Sequence, residues 1–328
     1  MTALVQNAIS WGFVCGRIAV LERTLLGFDF YNTLLGHEHS EDLLRQLQET
    51  PLRDAVTAAG AWEDWSAIID RHFYDQVASI RKDCPDERVP NLFLMQGDYQ
   101  NLKRALTGQT VYPFQHAVLT TEMLNACATR DFLAVPSPYR ETAQAAARVI
   151  EERSLSHLDL VLDGAYVRHL HESAHAVQVP LIAEYYDFYA LLRSITVLWR
   201  SHLAGGSLSA PASHILPLGE LSRIIRDLVA AADPKQWAGI VPGALGVALA
   251  RHVDAGTADA PQRFEGEAFD LLAEIARFGR GQVFGPERVF AYLCALATEA
   301  YNLKLIVSGR LSRIDADILK RRLRKPHA

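Results

Sequence analysis

The stretch EAYNLKLIVSG, residues 299–309, indicates the fold because a related stretch, DYQNLKRALTG, occupies residues 98–108. The two copies align without a gap at an acid, at Asn-Leu-Lys, at a hydroxyl residue and at a final glycine. The acid and the asparagine are three residues apart, so they share one face of a helix. A glycine in the last position is typical of a helix C-terminus. The repeat therefore predicts a helical element that occurs at least twice.

A weaker third copy begins at Asp187 and has a base at Arg193, but it lacks the asparagine and the glycine. The copies stand roughly 90 and about 110 residues apart, which exceeds the period of solenoid repeats and is close to a common domain size. We therefore predict three related helical domains, residues 1–110, 111–208 and 209–328. The repeated polar positions, which we interpret as structural, are Asp98, Asn101, Lys103, Asp187, Arg193, Glu299, Asn302 and Lys304.

The repeat admits two interpretations. In the first, it is a duplicated structural element whose polar side chains tie neighbouring helices together. In the second, each copy forms a binding site, or equivalent polar positions line a shared central surface that serves an axial partner. The residues alone leave both interpretations open.

Apolar residues follow helical spacing along most of the chain, for example in residues 18–26. Helix start signals occur at Ser40, at Thr121 and at Pro286, the first as a serine cap and the last with proline in the first helical turn. The sequence has no convincing run of alternating apolar and polar residues and no Asn-Gly hairpin turn. We therefore predict an all-α fold.

The bulk properties exclude several classes of protein. A net charge of −5 over 328 residues gives no reason to expect nucleic acid. The four cysteines lie far apart with no CxxC pair, which predicts reduced thiols in a cytoplasmic protein. The N-terminus lacks the basic region of a signal peptide. The longest apolar stretch, residues 237–250, is too short and too interrupted to span a bilayer, so we expect no membrane span.

The closing block, residues 265–324, contains short features in a characteristic order. They are Phe269-Asp270, Gly285-Pro286-Glu287, Tyr292-Leu293, Glu299-x-x-Asn302-Leu-Lys304, Ile306-x-x-Gly309 and Arg321-Arg322-Leu323-Arg324. In order and spacing, they resemble the C-terminal end of the C subunit of bacterial and archaeal V/A-type ATPases. The eukaryotic vacuolar ATPases have an equivalent, which is called the d subunit.

The resemblance extends over most of the chain. Residues 17–26 look like the first helix of the family, and residues 98–103 and 216–221 also fit it. The sequence departs from the family at Lys304, where arginine is more frequent, and at Leu218-Gly219, where the family more often has two glycines. These differences suggest a divergent member with the same fold.

The resemblance implies a protein without an active site of its own. Members of this family are all-helical funnels of three similar domains around a pseudo-threefold axis. The funnel lies on the cytoplasmic face of the membrane ring of proteolipid subunits and receives the end of the central shaft. We therefore expect a peripheral, non-catalytic central-stalk subunit of a V/A-type rotary ATPase that serves proton or sodium transport. Its partners would be the shaft subunits and the proteolipid ring, and it would need no cofactor.

A basic cluster near the end of the chain is a candidate interface with these partners. It contains Arg321, Arg322 and Arg324. Charged contacts favour correct registration between parts that assemble reversibly. The alternative is that the cluster only complements a helix C-terminus and stays solvated.

One motif points to different chemistry. His171-Glu172-Ser173-Ala174-His175 matches H-E-x-x-H, which on a helix places two imidazoles to bind Zn²⁺ and a glutamate to deprotonate a bound water. The metzincin extension of this motif would have glycine and histidine where Gln178 and Leu181 stand. No acid occurs between Asp187 and Glu220, and Asp187 itself is better explained by the repeat.

Helical periodicity also argues against a zinc peptidase. Leu158, Leu162 and Leu170 fall on one face of the predicted helix, whereas His171 and His175 fall on the opposite face. We therefore expect the histidines on a solvated or interface face and predict no metal site. A stand-alone helical adapter that belongs to no ATPase is the remaining alternative.

Overall fold

The chain is helical throughout its described parts. The computed structural model describes residues 2–37, 39–59, 64–114, 117–152, 155–255, 257 and 259–326. These residues form α-helices joined by turns and loops, and no β-strand occurs among them. The prediction of an all-α fold is confirmed.

The helices range from short single turns to a helix of 26 residues. In chain order they are α1 (Thr2–Leu21), α2 (Phe28–Gly36), α3 (Ser40–Gln48), α4 (Arg53–Ala58), α5 (Trp65–Asp83), α6 (Arg88–Leu106), α7 (Thr121–Ala128), α8 (Tyr139–Glu151), α9 (Leu155–Ala176), α10 (Pro180–Leu203), α11 (Ser209–Ile215), α12 (Leu221–Ala231), α13 (Pro234–Trp237), α14 (Gly243–Ala255), α15 (Ala260–Arg280), α16 (Pro286–Leu311) and α17 (Ala316–Lys320). Short 3-10 helices occupy Glu22–Thr24 and Phe132–Ala134.

By the contacts between its residues, the chain divides into two compact units. The first unit comprises Met1–Phe93 and Ala273–Ala328, and the second comprises Leu94–Leu272. A compact unit is defined by contacts in space, whereas the sequence repeat reflects similarity between segments. The division into three domains with boundaries near residues 110 and 208 therefore stays a prediction.

Helix α16 is central to the first unit. It packs against α1, α2, α3, α5 and α17. Every residue from Val289 to Leu296 is buried. Further along the helix, Leu303 and Ile306 join a core that also contains Tyr31 and Leu34 of α2. This packing holds the repeat at residues 299–309 inside the unit.

The hairpin of α9 and α10 is central to the second unit. Helix α9 packs against α8, α10 and α11, and α10 also packs against α11 and α12. Only residues 177–179 connect the two long helices, and so short a connection makes neighbouring helices antiparallel. The core of the unit includes Trp199, Trp237 and Phe264. The hairpin therefore determines which residues of α9 lie beside which residues of α10.

The helix start signals are placed correctly, but one cap differs from the prediction. Helices α7 and α16 begin at Thr121 and Pro286, with proline in the first turn of α16. Helix α3 begins at Ser40, and His39 occupies its N-cap position. The predicted serine cap is therefore wrong, because Ser40 is the first residue of the helix and not its cap. Helix α7 is capped by Thr120, whose side chain accepts a backbone N–H.

Among the described residues, one helix is long and apolar enough to cross a membrane, and it is α16. In this helix, 67% of the apolar window is buried inside the protein. A core helix passes the same test of length and composition. Because α16 packs against five helices of its own unit, we interpret its apolar character as that of a core helix.

The cysteines are free, as predicted. Cys15, Cys127 and Cys294 are buried, and Cys84 is half-buried. Burial raises the pKa of Cys84 to about 12 and that of Cys127 to about 11. Because the thiolate is the reactive form of cysteine, these two thiols are poor nucleophiles.

Candidate functional site

Asn302, in the C-terminal copy of the repeat, binds the backbone of the segment that ends the described chain. Its side chain is fully buried in α16. Its Nδ2 donates to the carbonyl oxygen of Arg324 at 2.9 Å, and its Oδ1 accepts from the backbone N–H of Arg324 at 2.9 Å. An asparagine side chain offers one donor group and one acceptor, so it can pair with both backbone groups of one residue. Asn302 thereby fixes the segment after α17.

Asn101, in the first copy, makes the same kind of contact. It is fully buried in α6. Its Nδ2 donates to the carbonyl oxygen of Phe114 at 2.7 Å, and its Oδ1 accepts from the backbone N–H of Phe114 at 3.4 Å. The second bond is longer and weaker than its counterpart at Asn302. Both asparagines therefore hold a loop residue by its backbone.

The acids of the two copies also accept hydrogen bonds from loop backbone. Asp98 accepts from the N–H groups of Val118 and Leu119 at 3.1 and 3.3 Å and from the hydroxyl of Tyr139 at 2.5 Å. Glu299 accepts from the N–H of Leu26 at 2.6 Å. Each acid thus ties a further loop to the helix that carries the asparagine.

Burial dominates the electrostatics of these two acids. It raises the pKa of Asp98 to about 6 and that of Glu299 to about 7, because the charged carboxylate loses its hydration. The hydrogen bonds to Asp98 and Glu299 act in the opposite direction and offset only part of the effect. Both carboxyls therefore have pKa values within about one unit of neutral pH.

The lysines of the repeat form ion pairs with a neighbouring helix. Lys103 pairs with Asp159 of α9 at 2.5 Å, and both side chains are well exposed. Lys304 pairs with Asp70 of α5 at 2.5 Å in a more buried setting. Exposed pairs contribute little to stability, so the Lys103–Asp159 pair adds little to the stability of the fold.

The third copy of the repeat has a different environment. Ala190 occupies the asparagine position and is buried. Arg193 forms an ion pair with Glu265 of α15, with 3.6 Å between Arg193 Nη1 and Glu265 Oε1. Asp187 accepts hydrogen bonds from side chains, namely His171 Nε2 at 2.7 Å and His175 Nε2 at 2.8 Å. The third acid therefore accepts hydrogen bonds from two imidazoles, whereas the other two acids accept hydrogen bonds from loop backbone.

The two glycines of the repeat have different roles. Gly108 has a φ of +83° just after α6, which fits the predicted role at a helix C-terminus. Gly309 lies within α16, and a Cβ added to it would stand 2.3 Å from Leu319 Cδ2. The predicted helix-terminus role is therefore wrong for Gly309, which instead allows α17 to approach α16 closely.

We expect the substitution Gly309→Ala to lower the free energy of unfolding by about 1 kcal/mol. Overpacking against the buried Leu319 costs about 1–3 kcal/mol, and the gain from replacing a helical glycine recovers about 0.5–1 kcal/mol. The matched control is Gly16→Ala in α1, where an added Cβ meets nothing within 4 Å. Urea unfolding should give a lower midpoint for Gly309→Ala and an unchanged or higher midpoint for Gly16→Ala. Equal midpoints for the two variants would contradict the close packing of α16 and α17.

The H-E-x-x-H motif lies in the last turns of α9, and its two histidines differ in burial. His171 is only 7% exposed and is covered by its own chain, so the prediction of a solvated or interface face is wrong for this residue. The segment that contains Gly219 covers it, since a Cβ added to Gly219 would stand 3.6 Å from His171 Cε1. Glu172 and His175 are exposed, as predicted. The helical pattern separated the apolar from the polar face but could not show what packs on the polar face.

The basic cluster divides into exposed and anchored residues. Arg321 and Arg322 are exposed. Arg324 is half-buried, and its guanidinium lies 3.5 Å from the centre of the Tyr301 ring. The backbone of Arg324 is also the partner of Asn302. Arg321 and Arg322 are therefore the members of this cluster best placed to contact another protein.

The contacts of the two complete copies favour the structural interpretation of the repeat. In each copy, a buried asparagine and a buried acid of one helix bind two loops by their backbone groups, and a lysine pairs with an adjacent helix. The sequence identified these side chains but missed their partners, because Phe114, Leu26 and Arg324 bind through backbone that has no sequence signature. It also missed the contact of Asp187 with His171 and His175, although the short connection between α9 and α10 was a usable signal.

The family of this chain follows from its similarity to known proteins. A comparison with curated proteins found no match. A family model described as ATP synthase (C/AC39) subunit matches residues 14–322. That range contains all three copies of the repeat, the basic residues Arg321 and Arg322, and residues of both compact units. The chain therefore belongs to the ATP synthase (C/AC39) subunit family, the same family that its closing block resembles.

Proposed function

We propose that this chain is the non-catalytic central-stalk subunit that couples the rotating shaft of a V/A-type ATPase to the proteolipid ring. The observation that carries the proposal is the family match over residues 14–322, because it assigns the chain to a rotary ATPase. Within such a complex, the chain would lie at the cytoplasmic face of the membrane as a peripheral subunit. Coupled transport of protons or sodium ions would be the activity of the complex.

We extend the proposal to the architecture that the resemblance implies. Three similar helical domains around a pseudo-threefold axis would form a funnel that receives the shaft. The equivalent contacts of Asn101 and Asn302 support this idea, since they are what duplication of one domain would leave. At Asp187, the third copy would have diverged.

A coupling subunit must deform less than the parts on either side of it. Packed helices have low compressibility, and loops that are hydrogen-bonded to buried side chains have fewer accessible conformations than free loops. In this chain, Asn101, Asp98, Asn302 and Glu299 restrain such loops. The repeated contacts would thus stiffen the subunit, which is a role that needs no catalytic group.

The proposal is tested by assembly. The purified chain should co-elute from a size-exclusion column with the central-shaft subunits of the same ATPase at low salt. A protein of similar size and charge from an unrelated complex is the control and should elute separately. Separate elution of the chain itself under these conditions would count against the proposal.

We expect charge reversal of the basic cluster to weaken this assembly. The variant Arg321→Glu with Arg322→Glu changes two exposed residues, and the matched control is Arg71→Glu with Arg148→Glu, at exposed positions of α5 and α8. Reversal of charges at an interface slows association and alters its salt dependence. The affinity for the shaft subunits or the ring should fall about tenfold or more, equivalent to about 1.4 kcal/mol. If the control variant lowers the affinity equally, the loss reflects the net charge of the chain and not the basic cluster.

A further inference from the structure

The hairpin of α9 and α10 brings three metal-ligating side chains together. His171 and His175 are four residues apart on α9, and their ring centres are 4.6 Å apart. Asp187 reaches them from α10. The imidazole nitrogens and a carboxylate oxygen of these three residues all lie within 4.8 Å of one another. We propose that His171, His175 and Asp187 form a binding site for a divalent transition metal of the zinc class.

Two of the three distances between ligand atoms require only small changes to admit an ion, and the third, between one nitrogen of each imidazole, is at most 4.8 Å. In a tetrahedral zinc site with ligand distances of about 2.0–2.1 Å, ligand atoms stand about 3.3 Å apart. In this chain, Asp187 Oδ1 is 2.7 Å from His171 Nε2 and 2.8 Å from His175 Nε2. A shift of about half an ångström at each nitrogen would bring these distances to the tetrahedral value. Rotations of the exposed His175 and of the half-exposed Asp187 can supply this shift.

The proton balance of binding is simple. Without an ion, both Nε2 atoms carry a proton in order to donate to the same carboxylate oxygen. With an ion bound, both Nε2 atoms become ligands, and each neutral imidazole carries its proton on Nδ1. The carboxylate supplies one negative charge toward the metal. Two imidazoles and one carboxylate are ligands that suit zinc and its neighbours better than Mg²⁺.

The surroundings give the site both rigidity and access. His171 is buried, and the backbone near Gly219 lies against its ring. The side chains of His175 and Asp187 are 46% and 40% exposed, so an ion can enter from solvent and keep an open coordination position. Glu172 is exposed and is not one of the three donors. The proposal concerns metal binding by these three residues and assigns no reaction to the site.

Metal titration tests the proposal. Protein freed of metal with a chelator is titrated with Zn²⁺ by calorimetry, with Co²⁺ by visible absorption, and with Mg²⁺ as the hard-cation comparison. We expect one Zn²⁺ per chain, the visible absorption of low-symmetry Co²⁺, and no Mg²⁺ binding in the same range. Because the ion binds the folded chain, the midpoint of thermal unfolding should rise with Zn²⁺ concentration.

Three variants locate the ion. His175→Gln and Asp187→Asn change solvent-accessible ligands without emptying the core. Each should reduce Zn²⁺ affinity by about 100-fold or more, since loss of a residue that only hydrogen-bonds a ligand already costs about 10- to 100-fold. His202→Gln, an exposed histidine at the end of α10, is the matched control and should bind like the wild type. Thermal unfolding without metal confirms that all variants fold. No Zn²⁺ binding by the wild type, or binding that survives both His175→Gln and Asp187→Asn, would overturn the proposal.

Discussion

The substitution Asn302→Ala is expected to lower the free energy of unfolding by about 2–4 kcal/mol, one of the largest effects of any single polar substitution in this chain. It removes two hydrogen bonds to Arg324 and leaves a half-buried N–H and carbonyl without their partner. A buried polar group left unpaired costs about 1–3 kcal/mol. The C-terminal segment should then detach from α16 even where the rest of the unit stays folded.

Urea unfolding and hydrogen exchange together measure this effect. The urea midpoint should fall, and the amides of residues 312–326 should lose protection more than those of α16 itself. The matched control is Asn32→Ala, at an exposed position of α2, which should change stability by no more than about 0.5 kcal/mol. An Asn302→Ala variant that is no less stable than Asn32→Ala would show that the contact with Arg324 contributes nothing.

The same substitution in the first copy provides an internal comparison. Asn101→Ala should release the loop around Phe114 and should expose the amides of residues 109–114 to exchange. Its effect should be somewhat smaller than that of Asn302→Ala, because one of the two hydrogen bonds is 3.4 Å long. Parallel behaviour of the two variants would support a common structural role for the two copies.

The second large effect concerns pH. Burial raises the pKa of Glu299 from an ordinary value of 4.5 to about 7. Between these two values the native state binds more protons than the unfolded state, so stability falls as pH rises. The contribution is fully present below about pH 4.5 and is lost as pH rises through about 7. Over that window, the raised pKa of Glu299 corresponds to a loss of about 3 kcal/mol in the free energy of unfolding.

The variant Glu299→Gln isolates this contribution. Glutamine cannot ionise, and its amide oxygen can still accept the N–H of Leu26. Relative to the wild type, the variant should gain about 3 kcal/mol in free energy of unfolding between pH 4.5 and pH 8. Urea unfolding at several pH values measures this difference. The contributions of other titrating groups cancel in it because both proteins contain these groups.

Asp98→Asn should behave similarly over a lower window, because burial raises the pKa of Asp98 from 3.8 to about 6. The gain in free energy of unfolding relative to the wild type should be complete by about pH 6.5 for Asp98→Asn and by about pH 7.5 for Glu299→Gln. Glu141→Gln, at an exposed position of α8, is the control and should show no comparable trend. If the difference in free energy of unfolding between Glu299→Gln and the wild type stays constant across pH 4.5–8, burial does not control the pKa of Glu299 and the account is contradicted.

The sequence predicted the helical fold and the side chains of the repeat, because both depend on local patterns. Spacing of apolar residues identifies helices, and an ungapped match identifies Asn101 with Asn302 without any knowledge of their surroundings. The partners of these asparagines could not be predicted in the same way. Phe114 and Arg324 are bound through backbone groups, which every residue type possesses.

The predictions that were wrong concerned contacts between helices. The frequency of glycine at helix ends predicts such a role for Gly309, but its actual role follows from the approach of Leu319 in α17, ten residues later in the chain. The periodicity of α9 alone predicts a solvated or interface face for His171. In the folded unit, Asp187 of α10 and the segment around Gly219 cover that face. Such features depend on tertiary packing, which a single periodic pattern does not contain.

ATP-driven ion uptake into vesicles is the most direct test of the central claim that this chain couples shaft and ring. The ATPase is reconstituted into vesicles with the chain, without it, and with the chain added back, and both ATP hydrolysis and ion uptake are measured. We expect complexes without the chain to hydrolyse ATP but to take up no ions, and uptake to return when the chain is added. Ion uptake that is unchanged in its absence would contradict the claim.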